Sequence, residues 1–134
     1  MSKYLHHVCI QTNDYRESLE FYLNVLQFKL EKESPNFHGR EYNTWLSLGS
    51  FMIEMQTPKY DETFQKFSKS SEGIVHMCFY VEDIDSEYER IKSTGWNDFI
   101  IKDGEVIYSV ENGKLFKILA PEGSIIEMRD NKGI

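Results

Sequence analysis

Apolar and polar positions follow the same order twice along this chain. A short alternating run, Leu5–Thr12, puts His7 and Cys9 on one face and Val8 and Ile10 on the other. A second run, Ile74–Val81, does the same with His76 and Cys78 against Met77 and Phe79. Asp14 and Asp83 each follow their histidine by seven residues, in Asn13-Asp14 and Glu82-Asp83. A short acceptor side chain there caps the free N–H groups of a first helical turn, and Glu17 completes a capping box with Asp14. Helical spacing continues through Tyr15, Leu19, Tyr22 and Leu26, and again through Ile84, Tyr88 and Ile91. Gly95 supplies a left-handed stop for the second helix, whereas the first ends in Leu26-Gln27-Phe28.

Strand-like runs follow each helix. They are Phe28–Glu33, Thr44–Leu48 and Phe51–Gln56, then Phe99–Lys102, Val106–Val110, Leu115–Leu119 and Ile125–Arg129. Gly49-Ser50 and Gly123-Ser124 turn the chain into Ile53-Glu54-Met55 and Ile126-Glu127-Met128. Ser34–Arg40 is expected as a loop, Asp61–Phe67 as a short helix and Ser68–Gly73 as a linker. The pattern predicts an α+β chain of two β-α-β-β-β repeats, one over about residues 3–60 and one over about 73–131, within a single domain 1–134.

Composition narrows the partners. Apolar residues are 40%, charged residues 28%, and the net charge of −7 disfavours nucleic acid and anionic membrane surfaces. No apolar run reaches the roughly 18–20 residues that span a bilayer. A cytoplasmic protein with a small-molecule substrate is expected. Cys9 and Cys78 then read as reduced, small core fillers rather than a disulfide.

The repeat also carries chemistry. A lone histidine or glutamate on a strand is ordinarily a solvent-facing side chain. A histidine and a glutamate recurring in order in both halves change that balance. His7, Glu54, His76 and Glu127 are the donor set of a pseudo-symmetric site for one divalent ion of borderline hardness. Nickel, zinc and cobalt suit it, and iron and manganese are admissible. Four protein ligands leave positions open for two substrate oxygens, and a carboxylate beside them can move a proton next to a carbonyl.

With these four residues in this order, the paired modules resemble the vicinal oxygen chelate superfamily, most closely glyoxalase I. Ser18-Leu19-Glu20-Phe21-Tyr22, Val25-Leu26-Gln27-Phe28 and Pro121-Glu122-Gly123 extend the resemblance over most of the chain. It implies curved mixed sheets around a central cleft, a homodimer, and His7, Glu54, His76 and Glu127 as metal ligands. It implies a lyase that isomerises the hemithioacetal of a 2-oxoaldehyde and a thiol through an enediolate, detoxifying methylglyoxal. Glu127 is then the main catalytic base and Glu54 the second catalytic carboxylate.

This chain departs from the glyoxalase I pattern at Gln11, where bacterial members carry a glutathione-holding arginine, and at Gln27, where they carry glycine. The alternatives are an epimerase-type or dioxygenase-type chelate enzyme, and a metal-free drug-binding resistance protein. Arg40 and Lys59 are loop and strand-end candidates for an anionic substrate. His6 and His38 read as surface or packing residues, and Trp45, Phe51, Phe79, Tyr108 and Phe116 as core residues of which one or two line the cleft.

Overall fold

The computed structural model describes residues 2–134. The chain divides into two compact units, Met1–Lys66 and Phe67–Ile134. Each holds a four-stranded mixed sheet built in the same order.

In the first unit the elements are β1 (Val8–Gln11), α1 (Tyr15–Glu20), β2 (Lys29–Phe37), β3 (Arg40–Leu48) and β4 (Phe51–Gln56). The sheet order is β1-β4-β3-β2. Strand β1 lies parallel to β4, and the remaining pairings are antiparallel. In the second unit β5 (His76–Tyr80), α2 (Ile84–Ser93), β6 (Tyr108–Val110), β7 (Gly113–Leu119) and β8 (Ile125–Arg129) give the order β5-β8-β7-β6, with β5 parallel to β8. The helix between β1 and the later strands is what permits the parallel pair, because parallel strands need a long crossover.

Each sheet buries one face. Ile10, Leu46, Ile53 and Met55 form the buried face of the first, with Tyr15, Leu19, Tyr22 and Val25 from the helical segment also buried. Phe116, Ile118, Ile126 and Met128 are buried in the second sheet, as are Ile84 and Ile91 of α2. The expected caps form: Asp14 accepts from the Glu17 N–H at 3.2 Å, and Asp83 from the Ser86 N–H at 3.0 Å. Buried polar groups on the helix side are paired, as with Thr12 and Ser18 hydroxyls at 2.8 Å.

Several boundaries differ from the sequence reading. The expected loop Ser34–Arg40 is instead the tip of a hairpin in which β2 and β3 run nine residues each. Phe37 pairs with Arg40, so His38-Gly39 is a two-residue turn, with φ of 49° and 83°. Pro35 is tolerated because β2 is an edge strand. Residues Asp61–Phe67 form no helix. The Asn13 amide donates to the Phe64 carbonyl at 3.0 Å and accepts from its N–H at 2.9 Å, and this double bond takes the backbone groups a helical turn would use. Phe99–Lys102 makes single bridges rather than a strand, since Asp103, at φ 51°, turns Lys102 back onto Glu105. The helical spacing through Leu26 is kept, with α1 followed by a π-helical turn over Phe21–Val25.

That turn ends at Gln27, which adopts φ 63° while Phe28 N–H reaches back to the Tyr22 carbonyl at 2.9 Å. Gly95 fills the same role after α2 with φ 93°. A side chain in the left-handed region costs about 1 kcal/mol. Gln27 is exposed, so its amide contributes little packing. Gln27→Gly is therefore expected to raise Tm by roughly 3–5 °C, and Gln27→Val to lower it. Thermal unfolding followed by circular dichroism checks both, and an unchanged or lower Tm for the glycine variant would contradict the strained cap.

Candidate functional site

The parallel strand pairs bring the sequence-predicted residues together two by two. In the first unit Cys9 lies opposite Glu54 in register, and His7 stands two residues earlier on the same face, just before β1. His7 Nε2 is 3.7 Å from Glu54 Oε1. In the second unit Cys78 lies opposite Glu127, and His76 opens β5. His76 Nε2 is 3.6 Å from Glu127 Oε1. The same atoms face each other at nearly the same separation in both units.

This separation exceeds a direct hydrogen bond. An ion held at about 2.0–2.2 Å from an imidazole nitrogen and a carboxylate oxygen keeps those donors roughly 2.9–3.5 Å apart. At 3.7 and 3.6 Å each pair is slightly wider than such a separation, and a small side-chain adjustment would bring it within that range. Among the described residues, no group of three or more His, Cys, Asp or Glu side chains has metal-holding geometry. Each pair supplies two donors of the right chemistry.

The surroundings of the two glutamates differ sharply. Glu54 accepts from the Asn43 amide at 2.9 Å, and 22% of its side chain is exposed. Trp45 pairs with Glu54 across β3 and β4, and its ring meets the His7 ring at 4.8 Å. Glu127 retains only 7% side-chain exposure. Lys117 occupies the register position that Trp45 has in the first unit, with Nζ 3.8 Å from Glu127 Oε1. Arg129 Nε lies 3.3 Å from Glu127 Oε2 but is buried and makes no hydrogen bond. The Cys78 thiol donates to the same Oε2 at 3.1 Å.

These contacts revise several expectations. Cys9 and Cys78 are exposed thiols on the face of the histidines and glutamates, not core fillers, because strand alternation puts them beside His7 and His76. Trp45 is half-buried against His7 rather than a core residue. His6 stays exposed, with Nδ1 2.9 Å from His7 Nδ1. Gln11 accepts from Gln56 at 2.8 Å on the same open face. Arg40 donates to the Thr57 carbonyl at 2.6 Å and so ties the tip of the hairpin to the chain just after β4. Lys59 is exposed beside it. Asn43, Lys117 and Arg129 were absent from the sequence reading. Arg129, two residues past Glu127, is recoverable from alternation alone; Lys117 and Asn43 need the strand register.

Around the second pair, His76, Cys78, Tyr80, Arg129 and Lys132 help line an open groove of about 700 Å³, within the size range of small-molecule sites.

The thiols are held in their neutral form. Although both residues are exposed, partial desolvation of the sulfur against the sheet, then the adjacent Glu54, pushes Cys9 up to about 11; partial desolvation, then the hydrogen bond to Glu127, pushes Cys78 up to about 12. Below the ordinary thiol range both are protonated in the folded and the unfolded chain. As pH rises through that range the unfolded chain ionises first, so this contribution to stability is lost towards pH 11–12. At pH 8 with a chelator present, iodoacetamide should label both at least about tenfold more slowly than a free thiol. Glu127→Gln should speed labelling of Cys78 and not of Cys9. Mass spectrometry of the alkylated peptides reads both effects, and rapid labelling of the native chain would contradict them.

Comparison with known proteins agrees with this architecture. A 29% identical relative over 94 residues, spanning 69% of this chain and 73% of its own, is the uncharacterised protein YwkD of Bacillus subtilis (strain 168). The crystal structure of a glyoxalase family protein from Enterococcus faecalis superposes with a TM-score of 0.76 at 23% identity, covering 96% of this chain and 98% of that one. The fosfomycin resistance protein FosX of Listeria monocytogenes, in a variant solved with Mn(II) and a dihydroxypropylphosphonic acid, gives a TM-score of 0.69 at 16% identity over 98% and 93% of the two chains. A family profile matches residues 4–127. By that match and by its paired mixed sheets, the chain belongs to the Glyoxalase/Bleomycin resistance protein/Dioxygenase superfamily.

Proposed function

We propose that this protein is a divalent-metal-dependent lyase of the glyoxalase I type, acting as a homodimer on the hemithioacetal of a 2-oxoaldehyde and a thiol. The observation that carries the reading is the pair of matched His–Glu approaches, His7–Glu54 at 3.7 Å and His76–Glu127 at 3.6 Å. A stability role alone gives no reason for both units to keep the same atoms at the same opening.

On this reading His7, Glu54, His76 and Glu127 are the metal ligands. The histidines bind through Nε2, the nitrogen that faces each carboxylate. Nickel, zinc and cobalt fit an N/O donor set, and the Mn(II) in the FosX structure supports testing manganese as well. The ion, when bound, supplies Lewis acidity for negative charge developing on two adjacent substrate oxygens. The proton movement belongs to the chain. Glu127 takes a proton from the carbon bearing sulfur and delivers it to the neighbouring carbon, while the hydroxyl proton on the first carbon passes to the neighbouring oxygen, so that the hemithioacetal becomes a 2-hydroxy thioester without an external oxidant. Its burial excludes competing water, and the Cys78 thiol fixes one of its oxygens. Glu54, tethered by Asn43 and more exposed, is the second carboxylate.

A metal-free binding module is the second reading, favoured by one observation: Lys117 and Arg129 already lie against Glu127. Elemental analysis and turnover separate the two. We expect about one ion per chain after loading with nickel, zinc or manganese, and thioester formation from methylglyoxal with glutathione or another low-molecular-weight thiol. His7→Ala and His76→Ala should each lower metal retention at least tenfold. Glu127→Gln should lower kcat by about 10²–10⁴-fold while some metal affinity persists. Metal binding without thioester formation for any thiol would assign a different chelate chemistry. Failure to bind any of these ions would favour the binding module.

A further inference from the structure

The internal repeat gives each open-face position a counterpart in the other unit. Gln11 pairs with Gln56 across β1 and β4; Tyr80 pairs with Arg129 across β5 and β8. Trp45 pairs with Glu54, whereas Lys117 pairs with Glu127. The first unit therefore presents neutral Gln56 and Trp45 where the second presents the cations Arg129 and Lys117. Lys132 adds a third cation at the groove, its ammonium 5.1 Å over the Tyr80 ring. This clustering stands on a chain whose net charge is −7.

Ion pairing with Glu127 accounts for only part of it. A single carboxylate, Glu127, faces both Lys117 and Arg129, and Arg129 Nε is buried there without a hydrogen bond. Burying a guanidinium nitrogen without a proper acceptor is costly, and the first unit orients its glutamate with an uncharged amide instead. A planar guanidinium with spare donors beside an ammonium is suited to an oxyanion. The groove that Arg129 and Lys132 line, with Lys117 behind it against Glu127, has room for a small molecule carrying one.

We infer that Arg129, with Lys117 and Lys132, forms a recognition site for the anionic group of a small-molecule ligand, a carboxylate or a phosphonate, beside the His76–Glu127 pair. The inference rests on the reading of this face as a substrate site, but its binding step needs neither metal nor turnover. Glu127 and the ligand's oxyanion compete for the same cations. Removing the charge of Glu127 therefore strengthens anion binding while, on the proposed function, it abolishes catalysis.

Calorimetric titration of the chelator-treated full chain tests this with acetate and methylphosphonate as probes and acetamide as the uncharged control. Saturable binding of at least one anion is expected, with acetamide silent; the tighter probe assigns the carboxylate or the phosphonate. Arg129→Gln should weaken the preferred anion at least about tenfold, the scale of a lost charge-assisted contact. Lys29→Gln, the same charge loss on an exposed side chain of the other unit, should change it less than twofold. Glu127→Gln should tighten it. Circular dichroism establishes that each variant is folded, and Lys132→Gln gives a second measure should Arg129→Gln fail to fold. No binding of either anion, equal weakening by Lys29→Gln, or weaker binding in Glu127→Gln would overturn the inference. None of these results depends on whether methylglyoxal is turned over.

Discussion

Parallel pairing of the first and last strand in each unit is the constraint from which the candidate site follows. It sets Cys9 against Glu54 and Cys78 against Glu127. Pleating then leaves His7 and His76 two residues away on the same face as those glutamates. Slipping either pairing by one residue would turn the glutamate to the buried face, where Ile53 and Met55, or Ile126 and Met128, now pack. Burial of those neighbours therefore fixes the register, and the register fixes the His–Glu approach. The hydrophobic pattern and the polar chemistry are consequences of one alternation.

The helices make that pairing possible and the caps hold the helices. Asp14 and Asp83 satisfy N–H groups at the two starts. Gly95 and Gln27 both close their helical segments in the left-handed region, one without cost and one with it. The long β2–β3 hairpin extends only the first unit; its counterpart β6 has three residues. The repeat is thus strict where strands carry the His–Glu pairs and loose at the outer edges of the sheets.

Equivalent backbones carry unequal electrostatics. Each glutamate faces a thiol, but Glu54 sits with an amide and an indole, whereas Glu127 sits with a lysine and an arginine. A symmetric pair of carboxylates would leave no basis for choosing between them. Burial and cationic neighbours distinguish Glu127, and these differences arise from positions 45, 56, 117 and 129 rather than from the repeated motifs themselves.

The sequence by itself determined the two β-α-β-β-β repeats, their helix caps and the placing of one histidine and one glutamate on the same face in each, because alternation, helical spacing and capping are local and their signals lie within a few residues. It misread Ser34–Arg40 and Asp61–Phe67, because a two-residue His-Gly turn and the double hydrogen bond between Asn13 and Phe64 draw on partners a propensity reading does not see. Only the tertiary structure decided that the cysteines lie beside the glutamates, that Trp45 meets His7 and that Lys117 and Arg129 surround Glu127. Those facts depend on which residues stand opposite across a sheet, and strand register is set by the burial of a whole face rather than by any short stretch of chain.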